Sequence, residues 1–106
     1  MVNWDRDFAL DQAGGDEDLL RELLTIFSGT LAASRQKIEE ALTVDDFSQM
    51  VRAAHSIKGS ASSLGFSEIA DMANTIESQA QAGHASDVPE FVARLKALEG
   101  TLPSLA

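Results

Sequence analysis

Residues 45–65 read DDFSQMVRAAHSIKGSASSLG, and this stretch predicts the central helix of the fold. Its apolar residues recur at spacings of three and four, which is typical of an amphipathic helix, here from about 45 to 64. They are Phe47, Met50, Val51, Ala54, Ile57, Ala61 and Leu64. Asp45 or a residue just before it is the expected N-cap. Gly65 is the expected residue at which the helix ends.

A compact group of polar and small residues lies on the same helix. Lys58 and Gly59 follow His55 at i+3 and i+4, and Ser62 follows at i+7, so a continuous helix gathers them on one side. At about 100° per residue, His55 lies on the flank of the apolar face, towards solvent. Glycine inside a helix costs about 1 kcal/mol relative to alanine. We therefore expect Gly59 to permit close approach of a partner, with tight helix packing as the alternative.

The same periodicity predicts three further long helices, and Gly14-Gly15 separates them from a short N-terminal piece that is expected to be a fifth helix. The five expected ranges are approximately 4–12, 16–42, 45–64, 67–82 and 86–102. The connections are short and no alternating strand pattern occurs, so successive long helices should be antiparallel neighbours. The sequence therefore predicts an all-α fold in one domain over 1–106. This is an up-down antiparallel four-helix bundle with a short extra N-terminal helix, whose Trp4 and Phe8 should seal the core.

Glu77 is predicted to lie level with His55. His55 stands ten residues before Gly65 and Glu77 eleven after Phe66, so at about 1.5 Å per residue both lie roughly 15 Å from the turn between their helices. A carboxylate that accepts a hydrogen bond from Nδ1 would fix the imidazole tautomer with an unprotonated Nε2. Glu77 is therefore a candidate for orienting His55, and a solvated helix glutamate is the alternative.

Composition excludes several classes of function. The formal charge of −9 disfavours nucleic acid and anionic membranes as partners and favours a protein. The chain has no cysteine, and no apolar run approaches twenty residues, so we expect a soluble, cytoplasmic protein. Its two histidines have no metal-binding spacing, and His84 is expected to be a loop residue. No glycine-rich phosphate loop is present, so we expect no ATP site.

The run from His55 to Gly65 resembles the motif of histidine-containing phosphotransfer (HPt) domains, roughly His-x-x-Lys-Gly-small-small-x-x-apolar-Gly. The resemblance extends along nearly the whole chain. It implies that His55 accepts a phosphoryl group from an aspartyl phosphate on a receiver domain and passes it to another receiver. Lys58 matches the motif lysine, and members of the family often have Gln or Glu at the position of Glu77.

The resemblance also implies the partners and the absence of bound cofactors. We expect a response-regulator receiver domain, a hybrid sensor histidine kinase, or both as partners. The Mg²⁺ is expected on the receiver, with no cofactor or metal bound by this chain. Lys58 would offset the charge of the phosphoryl group. We expect a monomeric carrier that is not an enzyme in its own right.

Two alternative functions and the role of Ser62 remain open at the level of sequence. The chain is a candidate for the phosphoacceptor domain of a chemotaxis-type histidine kinase, and Glu77 in place of glutamine slightly favours this. A non-phosphorylated helical binding module is a second possibility, but it leaves the spacing of His55, Lys58 and Gly59 unexplained. Ser62 is open to two interpretations of equal weight, a hydrogen-bond donor to a phosphoryl oxygen or a small polar filler.

Overall fold

The computed structural model describes residues 3–103 of the chain, and the ends of the predicted domain, residues 1–2 and 104–106, lie outside the described residues. Five helices follow one another in the described part. They are α1 (Arg6–Gln12), α2 (Glu17–Thr43), α3 (Phe47–Ser63), α4 (Ser67–Gln81) and α5 (Val88–Glu99).

The four long helices form a closed bundle. α2 packs against α3 and α5, and α4 packs against the same two helices. α2 has 27 residues and is therefore about 40 Å long, close to the 42 Å long axis of the molecule. The predicted all-α bundle with a short additional N-terminal helix is confirmed. None of the helices within residues 3–103 is long and apolar enough to cross a membrane.

The turn between α3 and α4 has the geometry of a Schellman motif. The N–H of Phe66 donates to the carbonyl of Ala61 at 2.9 Å, and the N–H of Gly65 donates to that of Ser62 at 3.4 Å. Gly65 has a φ of +79°, which is costly for a residue with a Cβ. The helix therefore ends at the predicted glycine.

Phe66 anchors this end of the bundle. It is fully buried, and its ring stacks on Trp4 at a centroid distance of 5.6 Å and on Phe27 at 4.9 Å. Burial of such a side chain stabilises the fold by about 1.5–3 kcal/mol. The core continues along the inner faces of α2 to α5, where Leu31, Ile57 and other apolar side chains are buried.

The N-terminal segment is fastened to the same turn. The indole Nε1 of Trp4 donates to the carbonyl of Leu64 at 2.8 Å, and the N–H of Asp5 donates to that of Gly65 at 3.1 Å. Trp4 packs against the core as expected. Phe8 does not seal the core, since it is 41% exposed, and the buried side chain of α1 is that of Ala9.

Several helix ends differ from the expected ranges. α1 begins at Arg6 rather than 4, because the side chain of Asp5 accepts the N–H of Phe8 and caps the helix. α3 begins at Phe47 rather than 45, because the cap is Asp46, which accepts from the N–H of Gln49.

α5 is also shorter than expected, since it spans Val88–Glu99 rather than 86–102. Pro89 lies in its first turn, where the missing N–H costs no helical hydrogen bond. Gly100 follows the last helical residue, and the N–H of Thr101 turns back to the carbonyl of Leu98 at 2.9 Å.

A buried ion-pair cluster ties α5 to α2. Arg35 is buried on α2, and its guanidinium donates to Glu99 of α5 and to Glu39 one turn along α2. A buried cation without such partners would be strongly destabilising. The cluster therefore fixes how the last helix lies against the longest one.

We predict that Gly65→Ala is more destabilising than Gly83→Ala. Both glycines have positive φ, +79° and +76°, so each substitution costs about 1–2 kcal/mol of backbone strain. A Cβ on Gly65 would also lie 2.7 Å from the carbonyl oxygen of Asp5, whereas one on Gly83 meets nothing within 4 Å. Urea unfolding should give a loss near 3 kcal/mol for Gly65→Ala and about 1 kcal/mol for Gly83→Ala.

The fluorescence of Trp4, the single tryptophan of the sequence, tests whether the substitution displaces the N-terminal segment. If Gly65→Ala displaces the N-terminal segment, the emission of Trp4 shifts to longer wavelength in the native state. Equal losses for the two variants would contradict the close contact between Gly65 and Asp5.

Candidate functional site

His55 projects from the flank of α3 near the middle of the helix. Its side chain is 68% exposed, while the preceding Ala54 is fully buried. The angular step of about 100° per residue explains the difference, because it turns His55 out of the core. The imidazole is thus held on a rigid helix and remains open to another molecule.

Glu77 of α4 lies beside the imidazole and is itself buried, with 7% of its surface exposed. Its Oε2 lies 2.8 Å from Nδ1 of His55. The short turn at Gly65 and Phe66 brings the two side chains together, because it sets both residues at the same height in neighbouring antiparallel helices.

Lys58 completes a three-residue cluster. Its Nζ donates to Oε1 of Glu77 at 2.5 Å, so each carboxylate oxygen of Glu77 has its own nitrogen partner. This ion pair was not predicted from the sequence, where Lys58 was placed beside the imidazole. Lys58 lies about one helical turn along α3 from the level of Glu77, and its long side chain spans that distance.

The electrostatics keep Glu77 ionised. The hydrogen bond from Lys58 lowers the pKa of the Glu77 carboxyl below its usual value, and the contact with His55 acts in the same direction, while burial opposes both. An ionised carboxylate only accepts hydrogen bonds, so a neutral His55 must carry its proton on Nδ1. The lone pair is then on Nε2, the ring nitrogen that is not bound to Glu77.

Gly59 leaves an open surface next to His55. A Cβ built on it would meet no atom within 4 Å, and the residue is exposed. Tight helix packing therefore does not explain the glycine. Approach by another molecule, the other expectation from the sequence, stays a prediction.

The two remaining candidates lie at different distances from the cluster. Ser62 is exposed on α3, one turn beyond Lys58 and Gly59, and its two interpretations stay open. His84 is exposed between α4 and α5, apart from the site, and its N–H donates to the carbonyl of Gln79 at 2.8 Å. Within residues 3–103, no group of three or more His, Cys, Asp or Glu side chains is arranged to hold a metal ion.

Comparisons with known proteins agree with the geometry. The family described as Hpt domain matches residues 22–103. The fold is similar to that of histidine-containing phosphotransfer protein B (HptB) from Pseudomonas aeruginosa PAO1, with a TM-score of 0.85 and 21% identity over 93% of this chain and 86% of that one.

A second solved structure is the HPT domain of the Hpt sensor hybrid histidine kinase from Shewanella. Here the TM-score is 0.76 and the identity 23%, over 93% of this chain and 89% of that one. At such identities the likeness to either structure concerns the fold. A search of curated protein sequences found no relative.

The lowered pKa of Glu77 predicts how stability depends on pH. A carboxyl whose pKa is lower in the folded state stabilises the fold above its unfolded value, near 4.5, and this contribution is lost as pH falls through the folded pKa. We expect Glu77→Gln to lack this contribution, so its stability deficit relative to wild type should be largest near neutral pH and shrink in acid.

Urea unfolding of both proteins at a series of pH values from neutral to strongly acid tests this. Glu68→Gln, a change of an exposed glutamate in the first turn of the same helix, is the control for general loss of charge. A deficit for Glu77→Gln that does not change with pH would contradict an ionised Glu77 held by Lys58 and His55.

Proposed function

Since the chain belongs to the Hpt domain family, whose members carry phosphoryl groups in two-component phosphorelays, we propose that it carries the phosphoryl group on His55. The main support is the contact of Nδ1 with the buried carboxylate of Glu77 at 2.8 Å on a ring that is 68% exposed. This arrangement directs a nucleophilic nitrogen towards solvent.

The transfer is a displacement at phosphorus. The lone pair of Nε2 attacks the phosphorus of an aspartyl phosphate on a receiver domain, an N–P bond forms, and the bond between phosphorus and the aspartyl oxygen breaks. The receiver keeps its aspartate as a free carboxylate, and the Nδ1 proton stays in the hydrogen bond to Glu77 throughout. The reverse displacement returns the phosphoryl group to a second receiver.

The roles of the surrounding residues follow from this step. Glu77 orients the ring and stabilises the positive charge that the imidazole acquires as the N–P bond forms. Lys58 keeps Glu77 ionised and offers positive charge near the phosphoryl oxygens. In this proposal Gly59 leaves room for the receiver, and Ser62, one turn further along α3, would donate a hydrogen bond to a phosphoryl oxygen.

The proposal assigns the remaining chemistry to the partner. The receiver holds the Mg²⁺, and this chain binds no cofactor of its own. It acts as a monomeric carrier that is consumed in one transfer and regenerated in the next, so it is not an enzyme by itself. A receiver of a response regulator or of a hybrid sensor histidine kinase would be the donor or the acceptor.

Phosphate labelling tests the assignment of His55. The purified domain is incubated with a panel of Asp-phosphorylated receivers and Mg²⁺, and acid-labile, base-stable phosphate is followed. We expect label on wild type and on His84→Gln, which removes the other histidine, and none on His55→Gln. Label on His55→Gln would contradict the proposal. Labelling only by an ATP-driven kinase domain would favour the chemotaxis-type alternative.

Two substitutions of Gly59 separate its effect on stability from its effect on transfer. Gly59→Ala should raise the free energy of unfolding by about 0.5–1 kcal/mol, because alanine is the better helix former and its Cβ meets nothing within 4 Å. Gly59→Leu should also keep the fold, but its side chain should slow transfer from a receiver. Urea unfolding and the labelling rate measure the two effects. Unchanged transfer in Gly59→Leu would show that the receiver does not approach here.

A further inference from the structure

A cleft between α2 and α3 is lined by hydrogen-bond donors from both helices. Its volume is about 330 Å³, and its lining residues are Ser34, Lys37, Gln49, Arg52, Ala53 and Ser56. All of them except the alanine can donate hydrogen bonds from their side chains, and none is acidic. The lining is therefore locally positive in a chain with a formal charge of −9. This combination suits a small anion.

The helical spacing explains why these side chains meet. Ser34 and Lys37 are three residues apart on α2, and Gln49, Arg52 and Ser56 follow one another at spacings of three and four on α3. Each set therefore lies on one side of its own helix, and the two sets flank the same cleft.

The cleft is separate from the imidazole. His55 does not line it, and its ring lies on the flank of α3 that faces α4, where Nδ1 contacts Glu77. Ala53, the smallest of the lining residues, is buried and leaves the space between α2 and α3 open.

The polar side chains of the cleft have no partners in the described part of the chain. No side-chain hydrogen bond or ion pair joins Lys37, Gln49, Arg52 or Ser56 to another of residues 3–103. Five of the eight lysines and arginines do form ion pairs within these residues. The cleft therefore holds two of the three cations that remain.

Ser34 is the most informative of the lining residues. It is buried, with 7% of its surface exposed, and its hydroxyl forms no hydrogen bond with another of residues 3–103. Buried polar groups are normally hydrogen-bonded, because a hydroxyl that loses its water without gaining a partner destabilises the fold. Ser34 thus points to a partner from outside the chain.

The arrangement of the donors favours a phosphate group over a carboxylate. The donors approach from two helices, and the tetrahedral oxygens of phosphate accept from several directions, whereas the two oxygens of a carboxylate lie in one plane. The guanidinium of Arg52 can bind two phosphate oxygens in parallel, and the ammonium of Lys37 acts as a compact point charge. Two cations also match the charge of a phosphate monoester, which is about −2 near neutral pH.

We propose that this cleft binds a small phosphate ligand, either inorganic phosphate or the phosphate group of a phosphomonoester. Its volume lies at the lower end of the range for ligand pockets, which suits a small molecule. The bound group joins α2 to α3 through Lys37 and Arg52. The site goes beyond the proposed phosphotransfer and does not depend on it, since the ligand is held by hydrogen bonds and charge alone.

A titration followed by NMR tests the site. Inorganic phosphate and methyl phosphate are each added to the ¹⁵N-labelled chain at constant ionic strength, and backbone amide shifts are recorded. We expect saturable shifts around the cleft, with one ligand per chain. Saturation by both probes would identify the phosphate group itself as the ligand, and saturation by inorganic phosphate alone would restrict the site to the free ion. No saturation by either would overturn the proposal, because water alone would then fill the cleft.

Charge removal in the cleft has a matched control. Lys37→Gln and Arg52→Gln should each raise the Kd for phosphate roughly tenfold, because each removes a charge-assisted hydrogen bond. Lys96→Gln removes the third cation without an ion pair among residues 3–103, which lies on α5, and should leave the Kd unchanged. An equal effect of all three substitutions would show unspecific attraction to positive charge and overturn the site.

Ser34→Ala separates ligand binding from folding. Without phosphate, this variant should be at least as stable to urea as wild type, because it removes a buried hydroxyl that has no partner among residues 3–103. Its Kd for phosphate should nevertheless rise roughly fivefold. Unchanged affinity in Ser34→Ala would overturn the cleft as the binding site.

His55→Gln distinguishes this site from the phosphoacceptor. The variant should bind phosphate with the wild-type Kd, because the imidazole lies on the other flank of α3 and contacts Glu77. Loss of binding in His55→Gln would place the ligand at the histidine and overturn the proposal. The labelling experiment with receivers is independent of this titration, so its failure would contradict the phosphotransfer alone.

Discussion

The tight turn between α3 and α4 is the constraint on which the site depends. Gly65 ends α3 in a conformation that suits glycine, and Phe66 is locked between two aromatic rings directly after it. These two residues set the register of the following helix, because an insertion in the turn would move Glu77 along α4 relative to His55. The N-terminal segment strengthens the turn through the hydrogen bonds of Trp4 and Asp5. The contact of 2.8 Å between His55 and Glu77 is therefore a consequence of how the hairpin closes.

Because Glu77 is buried, its contact with His55 holds the imidazole in one orientation. A buried carboxylate without cations would lose much of its hydration and take up a proton. Lys58 prevents this and occupies one oxygen, so the other oxygen is left for Nδ1. The imidazole then has one orientation and one neutral tautomer. A surface glutamate at the same distance would orient the ring less strongly, because water would compete for both partners.

The sequence was sufficient for the fold and for much of the site, because both depend on periodicity and register. The apolar spacing located the four long helices, and counting residues from Gly65 brought Glu77 level with His55. The N-cap of α3 was assigned wrongly, since Asp45 and Asp46 are both good caps and the choice depends on a φ of +53° at Asp45. The Lys58–Glu77 ion pair was missed because a lysine side chain has many rotamers.

Lys37 and Arg52, which form no ion pair among residues 3–103, show a further limit of sequence reasoning. Lys37 and Arg52 are fifteen residues apart on different helices, and only the rotation of α2 against α3 places them in one cleft. Local pairs at i+3 and i+4 are visible in a sequence, and they involve Arg21, Arg35 and Arg94. The pairs of Arg6 with Glu17 and of Lys58 with Glu77 join residues eleven and nineteen positions apart, so they too depend on the tertiary fold. The charge distribution around His55 is therefore a product of how the helices pack, and it cannot be read from local spacing alone.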